Sequence, residues 1–352
     1  MPMAIRVLVV DDSSMMRQML SKLLDEDPDI EVVGAARDPY QARDMIKALD
    51  PDVLTLDIEM PRMHGLEFLE KLMRLRPMPV VMVSSLTEKG ADATLQALEL
   101  GAVDFVTKPS LGLASGISQL AEEIRHKVHL AARNRVRSPV VRKGPRPVIG
   151  HGRDISTEKI VAIGASTGGV QVVREIVEAM PASAAAILVT QHMPVEFTAR
   201  FASRMDRSVT MKVVEARDGE RVLPGHVHIA PGGKHLELGR SGANYVCHVR
   251  DGDLISGHKP SVDALFHSVA AVAGSNAVGV ILTGMGSDGA HGLLAMREAG
   301  ASTIGQDEAS CTVYGMPRVA REIGAVMEEL PVERIAERIL ALTGGGMQAV
   351  RV

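Results

Sequence analysis

Along residues 5–132, short β-branched runs alternate with stretches whose apolar residues recur at helical spacing. The strand candidates are "IRVLVV" (5–10), "IEVVGAA" (30–36), "DVLTLD" (52–57), "PVVMVSS" (79–85) and "AVDFVTKP" (102–109). Five such alternations predict a parallel sheet with helices on both faces. The texture then changes: residues 124–153 hold nine Lys or Arg and no Asp or Glu, ending in "RSPVVRKGPRPVIGHGR". Its Pro and Gly content argues for a linker rather than regular structure. The alternation resumes with "KIVAIGAS" (159–166), "AAAILVTQHM" (184–193), "AVGVILTGMG" (277–286) and "ASTIGQ" (301–306). Shorter pieces near 211–250 read as antiparallel hairpins. The expectation is an α/β protein of two domains, each a doubly wound, mainly parallel sheet. They span 1–134 and 158–343, joined by a basic Pro/Gly linker at 135–157 and followed by a frayed tail at 344–352.

Bulk properties narrow the classes. A chain of 352 residues is long enough for two hydrophobic cores. A formal charge of −4 gives no general attraction to nucleic acid or anionic lipid, and aromatic content of 2% without Trp leaves little for base or sugar stacking. Cys247 and Cys311 fit neither a disulfide framework nor a cysteine metal cage, and the start "MPMAIRVLVVDD" reaches acidic residues too early for a signal peptide. No apolar run approaches the roughly 20 residues of a membrane-spanning helix. A reduced, cytoplasmic protein without direct membrane insertion is expected.

In open parallel sheets the carboxyl ends of the strands converge on one edge. Asp11 and Asp12 after "VLVV" and Asp57 after "VLTL" should meet there. Three carboxylates repel one another, and a hard divalent cation such as Mg²⁺ would relieve that repulsion. Lys108 and Ser84, also at strand ends, supply a charge and a hydroxyl suited to a phosphoryl group on Asp57. A double Asp alone could simply cap a helix. Here "VLVVDDSSMMR", "LDIEMPRMHGLEF", "VVMVSS" and "DFVTKP" occur in order, and together they resemble the flavodoxin-like receiver domain of two-component response regulators. The resemblance implies that Asp57 accepts a phosphoryl group from a histidine kinase, and that Asp11, Asp12 and Asp57 hold Mg²⁺. It further implies that Ser84, Lys108 and Phe105 report the modification. Glu59 occupies a position that varies widely among receivers.

Three polar groups also end strands in the second half: Ser166 in "GASTGG", His192 after "AAAILVTQ" and Asp288 in "GMGSDG". A serine hydroxyl becomes a nucleophile when an imidazole takes its proton and a carboxylate orients that imidazole, and the two glycine clusters leave backbone N–H groups open to an oxyanion. Acyl transfer is the chemistry this favours. Other readings compete. "GASTG" satisfies the α/β-hydrolase elbow pattern, but that fold takes its triad in the order Ser, Asp, His. "GMGSDG" satisfies a dinucleotide fingerprint with Asp307 downstream, yet Asp288 would place a negative charge where pyrophosphate should lie. A response regulator with a DNA-binding output, using the basic stretch 125–153, lacks a helix-turn-helix pattern; a non-catalytic interaction module is the other alternative.

The combination "IGASTGG", "VTQHMP", "PGHVHIAPGGKHLEL", "HKPSVDALFHS", "ILTGMGSDGAHGLL" and "QDEASCTVYGMPRVA" resembles the Rossmann-like catalytic domain of the chemotaxis protein-glutamate methylesterases. With the receiver, the resemblance covers nearly the full chain. It implies Ser166 as nucleophile, His192 as base and Asp288 as orienting acid, supported by Thr167 and the backbone at Met285. The implied substrate is a glutamyl methyl ester on the helical cytoplasmic part of a chemoreceptor, with glutamine deamidation by the same route and no metal in that domain. "APGGKH" and "KPSVD" are expected to shape the substrate groove, and the unphosphorylated receiver to obstruct it.

Overall fold

In the computed structural model, which describes residues 4–85, 87–108, 114–133 and 159–344, the chain divides into two compact units, Met1–Arg142 and Lys143–Val352. The expected linker at 135–157 and the tail beyond residue 344 lie outside the described residues.

The first unit alternates strictly: β1 (Ile5–Val10), α1 (Ser14–Asp25), β2 (Ile30–Ala36), α2 (Pro39–Leu49), β3 (Val53–Asp57), α3 (Gly65–Leu75), β4 (Val80–Ser84), α4 (Glu88–Glu99), β5 (Asp104–Thr107) and α5 (Ala114–Arg133). All pairings are parallel, in the order β2-β1-β3-β4-β5. β3 and β4 are buried throughout, and being covered on both faces they read as continuous apolar runs. On one face Val7, Val9, Val53, Val81 and Val83 pack against Leu20 and Leu24 of α1 and Ile124 and Val128 of α5. Winding reverses between β1 and β3, so their carboxyl ends open the crevice where a ligand is expected.

The second unit contains β6 (Ile160–Ala165), α6 (Gly169–Glu178), β7 (Ala186–Gln191), α7 (Val195–Asp206), β8 (Lys212–Glu215), β9 (His226–Ile229), β10 (His235–Ser241), β11 (Asn244–Arg250), α8 (Val262–Ala273), β12 (Ala277–Ile281), α9 (Ala290–Glu298), β13 (Ser302–Gln306), α10 (Met316–Glu322), β14 (Glu328–Leu330) and α11 (Val332–Thr343). Seven strands form one parallel sheet, β14-β13-β12-β6-β7-β9-β8. The expected antiparallel hairpin region is present as β10 and β11, but it is smaller than the whole of 211–250: β8 and β9 extend the main sheet in parallel. Their inward residues Val213, Val227 and Ile229 are buried, which ties both strands to the sheet. The β10–β11 hairpin contributes Leu236, Leu238, Tyr245 and Cys247 to a core shared with Leu265, Phe266 and Val269 of α8. Cys247 and Cys311 are both free, and burial pushes the Cys247 thiol up to about 12, so it behaves as a small apolar side chain. Winding reverses between β6 and β12, which marks that edge as this unit's crevice.

Candidate active site and phospho-acceptor pocket

In the first unit, the turn after β1 builds its own geometry. Ser13 caps α1, donating its N–H to Asp11 Oδ1 at 2.8 Å, while Arg17 donates to the carbonyl oxygens of Asp11 and Asp12 at 2.8 and 2.9 Å. Asp11 and Asp57 are buried and Asp12 is exposed. One carboxylate oxygen from each of the three lies within 4.8 Å of the other two. Lys108 Nζ sits 3.1 Å from Asp11 Oδ2 and 2.8 Å from Asp57 Oδ2. A single ammonium cannot balance three carboxylates. Burial and then the charge of Asp11 push Asp57 up to about 6 despite Lys108. Asp11 Oδ2 and Asp57 Oδ2 are buried without a well-directed hydrogen bond. Surplus negative charge and under-coordinated oxygens are what a hard divalent cation satisfies.

Ser84 ends β4 beside Thr107 of β5, while Phe105 lies two residues earlier in β5, paired with Met82. Ser84 is buried and turned toward α4, donating to the Gly90 carbonyl at 3.3 Å and accepting from Thr94 Oγ1 at 2.6 Å. Thus the hydroxyl expected to meet a phosphoryl group is engaged with α4 in this structure. Phe105 is buried, with Lys127 Nζ 5.0 Å from its ring centre.

In the second unit, parallel register brings two of the expected residues together. Ala165 of β6 pairs with Gln191 of β7, and His192 N–H donates to the Ala165 carbonyl at 3.0 Å, so Ser166 and His192 leave adjacent strand ends side by side. Ser166 N–H donates to the Thr283 carbonyl at 3.0 Å, tying the same turn to the chain leaving β12. The approach is close enough that a Cβ at position 284 would lie 2.6 Å from Ser166 Cβ, which requires glycine there. Gly168, at φ 77°, caps α6 in the left-handed region and turns its N-terminus under the serine.

His192 Nε2–H donates to Asp288 Oδ2 at 2.7 Å, which leaves the lone pair on Nδ1. Nδ1 is buried and has no hydrogen bond. Asp288 is fully coordinated: Oδ1 accepts from Ser261 Oγ at 2.8 Å and Asp263 N–H at 3.0 Å, and Oδ2 accepts also from Val262 N–H at 2.7 Å. Burial raises the Asp288 carboxyl, but the His192 partner and the Asp263 and Val262 N–H groups bring it below the ordinary range. The carboxylate is thus held ionised against the N-terminus of α8. Ser261, Val262 and Asp263 of "KPSVD" orient this acid.

Other partners escape sequence reasoning. The His258 ring stacks on His192 with centroids 3.8 Å apart and planes 6° apart, and its Nδ1–H donates to the Ser256 carbonyl at 2.8 Å. Buried His235 donates from Nε2 to the Asp253 carbonyl at 2.9 Å and accepts from Ser261 N–H at 3.3 Å. Gln306 Oε1 accepts from Thr283 N–H at 2.8 Å, and Thr283 Oγ1 donates to the Thr167 carbonyl at 2.9 Å, so "QDEASCTVYGMPRVA" braces the serine turn from behind. Met285 is exposed in the loop between β12 and α9 that also carries Asp288. Apart from the local His258–Ser256 bond, these contacts join residues far apart in the chain and leave no periodic trace in the sequence. The surplus of histidines in "KHLEL" and "HKPSVD" was the available signal.

An acidic strand-end pocket beside Lys108, together with a second α/β unit whose switch-point edge gathers Ser, His and Asp, defines a response regulator with a hydrolase-like output unit. The CheB methylesterase family model matches residues 161–339, and that of the response regulator receiver domain matches residues 7–114. The chain belongs to the CheB methylesterase family and carries its receiver domain. It is 57% identical, over 97% of each chain, to the protein-glutamate methylesterase/protein-glutamine glutaminase of Bordetella parapertussis. Identity to the protein of the same description from Salmonella typhimurium is 56% over 99% of each chain. The crystal structure of the Thermotoga maritima CheB methylesterase catalytic domain is 39% identical with a TM-score of 0.51, covering 52% of this chain and 98% of that one. The match of the output unit to a methylesterase family does not favour a DNA-binding or purely adhesive output. Among the described residues, no helix is long and apolar enough to cross a membrane.

Proposed function

We propose that this chain is a phosphorylation-activated protein-glutamate methylesterase, and by the same chemistry a glutamine deamidase, acting on the cytoplasmic helices of chemoreceptors. The observation that carries the reading is the His192–Asp288 hydrogen bond beside Ser166, joined in one chain to an acidic phospho-acceptor pocket.

Ser166 Oγ attacks the ester carbonyl as its proton passes to His192 Nδ1, the nitrogen left free when Nε2–H binds Asp288. Asp288, kept ionised by α8, stabilises the imidazolium that forms. Thr167 and the backbone at Met285 support the histidine and the oxyanion. The protonated imidazole returns its proton to the leaving methoxide, releasing methanol, and water then cleaves the acyl-enzyme with His192 again as base. A glutamine side chain follows the same path with ammonia as leaving group.

Asp57 accepts the phosphoryl group from a histidine kinase. Mg²⁺, held by Asp11, Asp12 and Asp57, would supply charge neutralisation for that transfer. Lys108 is already placed against the acceptor oxygen, and Ser84 turns from α4 to the new phosphoryl oxygens, so α4 senses the modification. The unphosphorylated receiver obstructs the catalytic edge, which must otherwise stay open to a protein substrate. The test is methanol release from methylated receptor. Ser166→Ala should lose nearly all of it while retaining the fold, and unchanged release would remove Ser166 from the mechanism.

A further inference from the structure

The esterase chemistry above assigns nothing to His258, yet the fold fixes its ring closely. Ile255 and His258 exchange backbone hydrogen bonds at 3.2 and 2.9 Å across a two-residue turn, with Ser256 at φ 51° and Gly257 at φ 79°. Ser256 Oγ donates to Asp263 Oδ2 at 2.8 Å, and Asp263 Oδ1 accepts from Gly292 N–H at 2.7 Å, which ties the turn to α8 and α9. Lys259 Nζ is taken up by Asp251 Oδ1 at 2.9 Å and the Gly252 carbonyl at 2.8 Å. His258 Nδ1–H donates to the Ser256 carbonyl at 2.8 Å, and the ring lies on His192 with centroids 3.8 Å and planes 6° apart. Two neutral aromatic rings favour offset or edge-on packing with centroids ~4.5–7 Å apart, so this closer, nearly parallel pair suits one neutral ring and one cation. Burial, and then the adjacent His192, hold the His258 imidazole below its ordinary range against the opposing pull of the Ser256 carbonyl and Asp288. His258 is therefore the neutral member at neutral pH.

We infer that His258 is a positioning residue for the esterase: its ring sets the plane of His192 and stabilises the imidazolium that forms when His192 takes the serine proton. The bond to Asp288 fixes one atom of the His192 ring, Nε2, but not the plane of the ring. A second ring lying flat against one face fixes that plane, so the Nδ1 lone pair keeps one direction. Once protonated, His192 presents a cation to an electron-rich ring face, an attraction that is weaker while His192 is neutral. An interaction that strengthens only as the proton moves raises kcat and leaves KM alone. An aliphatic side chain of similar bulk would fill the space and supply no such face.

The effect on rate rests on the esterase reading; the stack's hold on the His192 proton does not, and the experiment separates them. Methanol release from methylated receptor is measured for the full chain, with Mg²⁺ and phosphodonor, as wild type, as His258→Phe, which keeps a ring face, and as His258→Leu, which keeps bulk alone. In each, protonation of the His192 ring is followed across pH by nuclear magnetic resonance. His258→Leu should lose at least tenfold in kcat with KM within twofold of wild type, and its His192 should take up a proton only at lower pH. His258→Phe should stay within threefold of the wild-type kcat and titrate as the wild type does. A His192 titration that is the same in all three, a His258→Leu chain with wild-type kcat, or a His258→Phe chain that falls as far as His258→Leu overturns the inference. A wild-type chain that releases no methanol, while His192 titrates lower in His258→Leu alone, keeps the stack and overturns the esterase reading.

Discussion

At the scale of single residues, Asp288 and Asp57 are both buried carboxylates, and their surroundings push them in opposite directions. Asp288 accepts four hydrogen bonds and is held below the ordinary carboxylate range. Asp288→Asn should leave the fold intact, remove the ionised partner of His192 and lower kcat by about 10³–10⁴-fold at little change in KM. Asp288→Ala additionally strands the donors of Ser261, Val262 and Asp263, so its unfolding midpoint should fall as well, by an amount equivalent to about 2–4 kcal/mol. Asp57 has the opposite problem. Raised from 3.8 to about 6, its carboxyl favours the protonated form in the fold, so the stability it contributes is complete below about pH 4 and is lost as pH rises through about 6. At neutral pH without a divalent cation, Asp57→Asn should therefore stabilise the receiver by about 1–2 kcal/mol, the gain being reduced because Lys108 loses one of two partners. The gain should shrink toward pH 4 and vanish when Mg²⁺ saturates the wild type. Denaturant titrations at three pH values, with and without Mg²⁺, measure this directly.

At the scale of elements, the sites depend on how strand ends and helix starts are placed against each other. Ser261 caps α8, accepting from Ala264 N–H at 3.3 Å while donating to Asp288. Ser261→Ala should cost about 1–2 kcal/mol of stability and lower kcat as well, a double loss not expected of a cap remote from the site. Gly284→Ala should be worse for activity: the added Cβ would meet Met316 Sδ at 2.3 Å and Ser166 Cβ at 2.6 Å, so the serine turn must shift. A fall in kcat of at least tenfold is expected, and an unchanged rate would mean the turn tolerates displacement. The regular strands, β1 to β7 together with β12 and β13, were legible because continuous β-branched runs alternate with helical periods. β8 and β9 were misread because "KVVE" and "HVHI" are too short to show which neighbour they pair with or in which direction; their order beside β7 is set by burial of Val213 and Val227. β14 is three half-buried residues, two of them Glu, and its single Leu330 is too little apolar signal to mark a strand.

At the scale of the whole molecule, the acidic pocket and the Ser, His and Asp edge were legible because the strand-end rule turns linear position into spatial proximity. Residues 11, 57 and 108, and residues 166, 192 and 288, are far apart in sequence yet all follow strands of their own sheet. The partners that tune them were hidden for the opposite reason: His258 and Ser261 lie on a loop and a helix start, and His235 opens the β10 strand of the separate hairpin, where no period predicts what they touch. Coupling between the two units is a separate matter. Obstruction by the receiver needs only a modest bias, since about 1.4 kcal/mol changes a closed-to-open ratio tenfold. A chain truncated to residues 155–352 should then release methanol faster than the unphosphorylated full chain, and equal rates would count against obstruction. The most direct measurement is methanol release from methylated receptor by the full chain, with and without Mg²⁺ and a small phosphodonor, for wild type and Asp57→Ala. Release should rise in the wild type only when Mg²⁺ and phosphodonor are both present, and should not rise in Asp57→Ala. A rate indifferent to phosphodonor, or one that rises equally in the variant, would contradict phosphorylation-driven activation through Asp57.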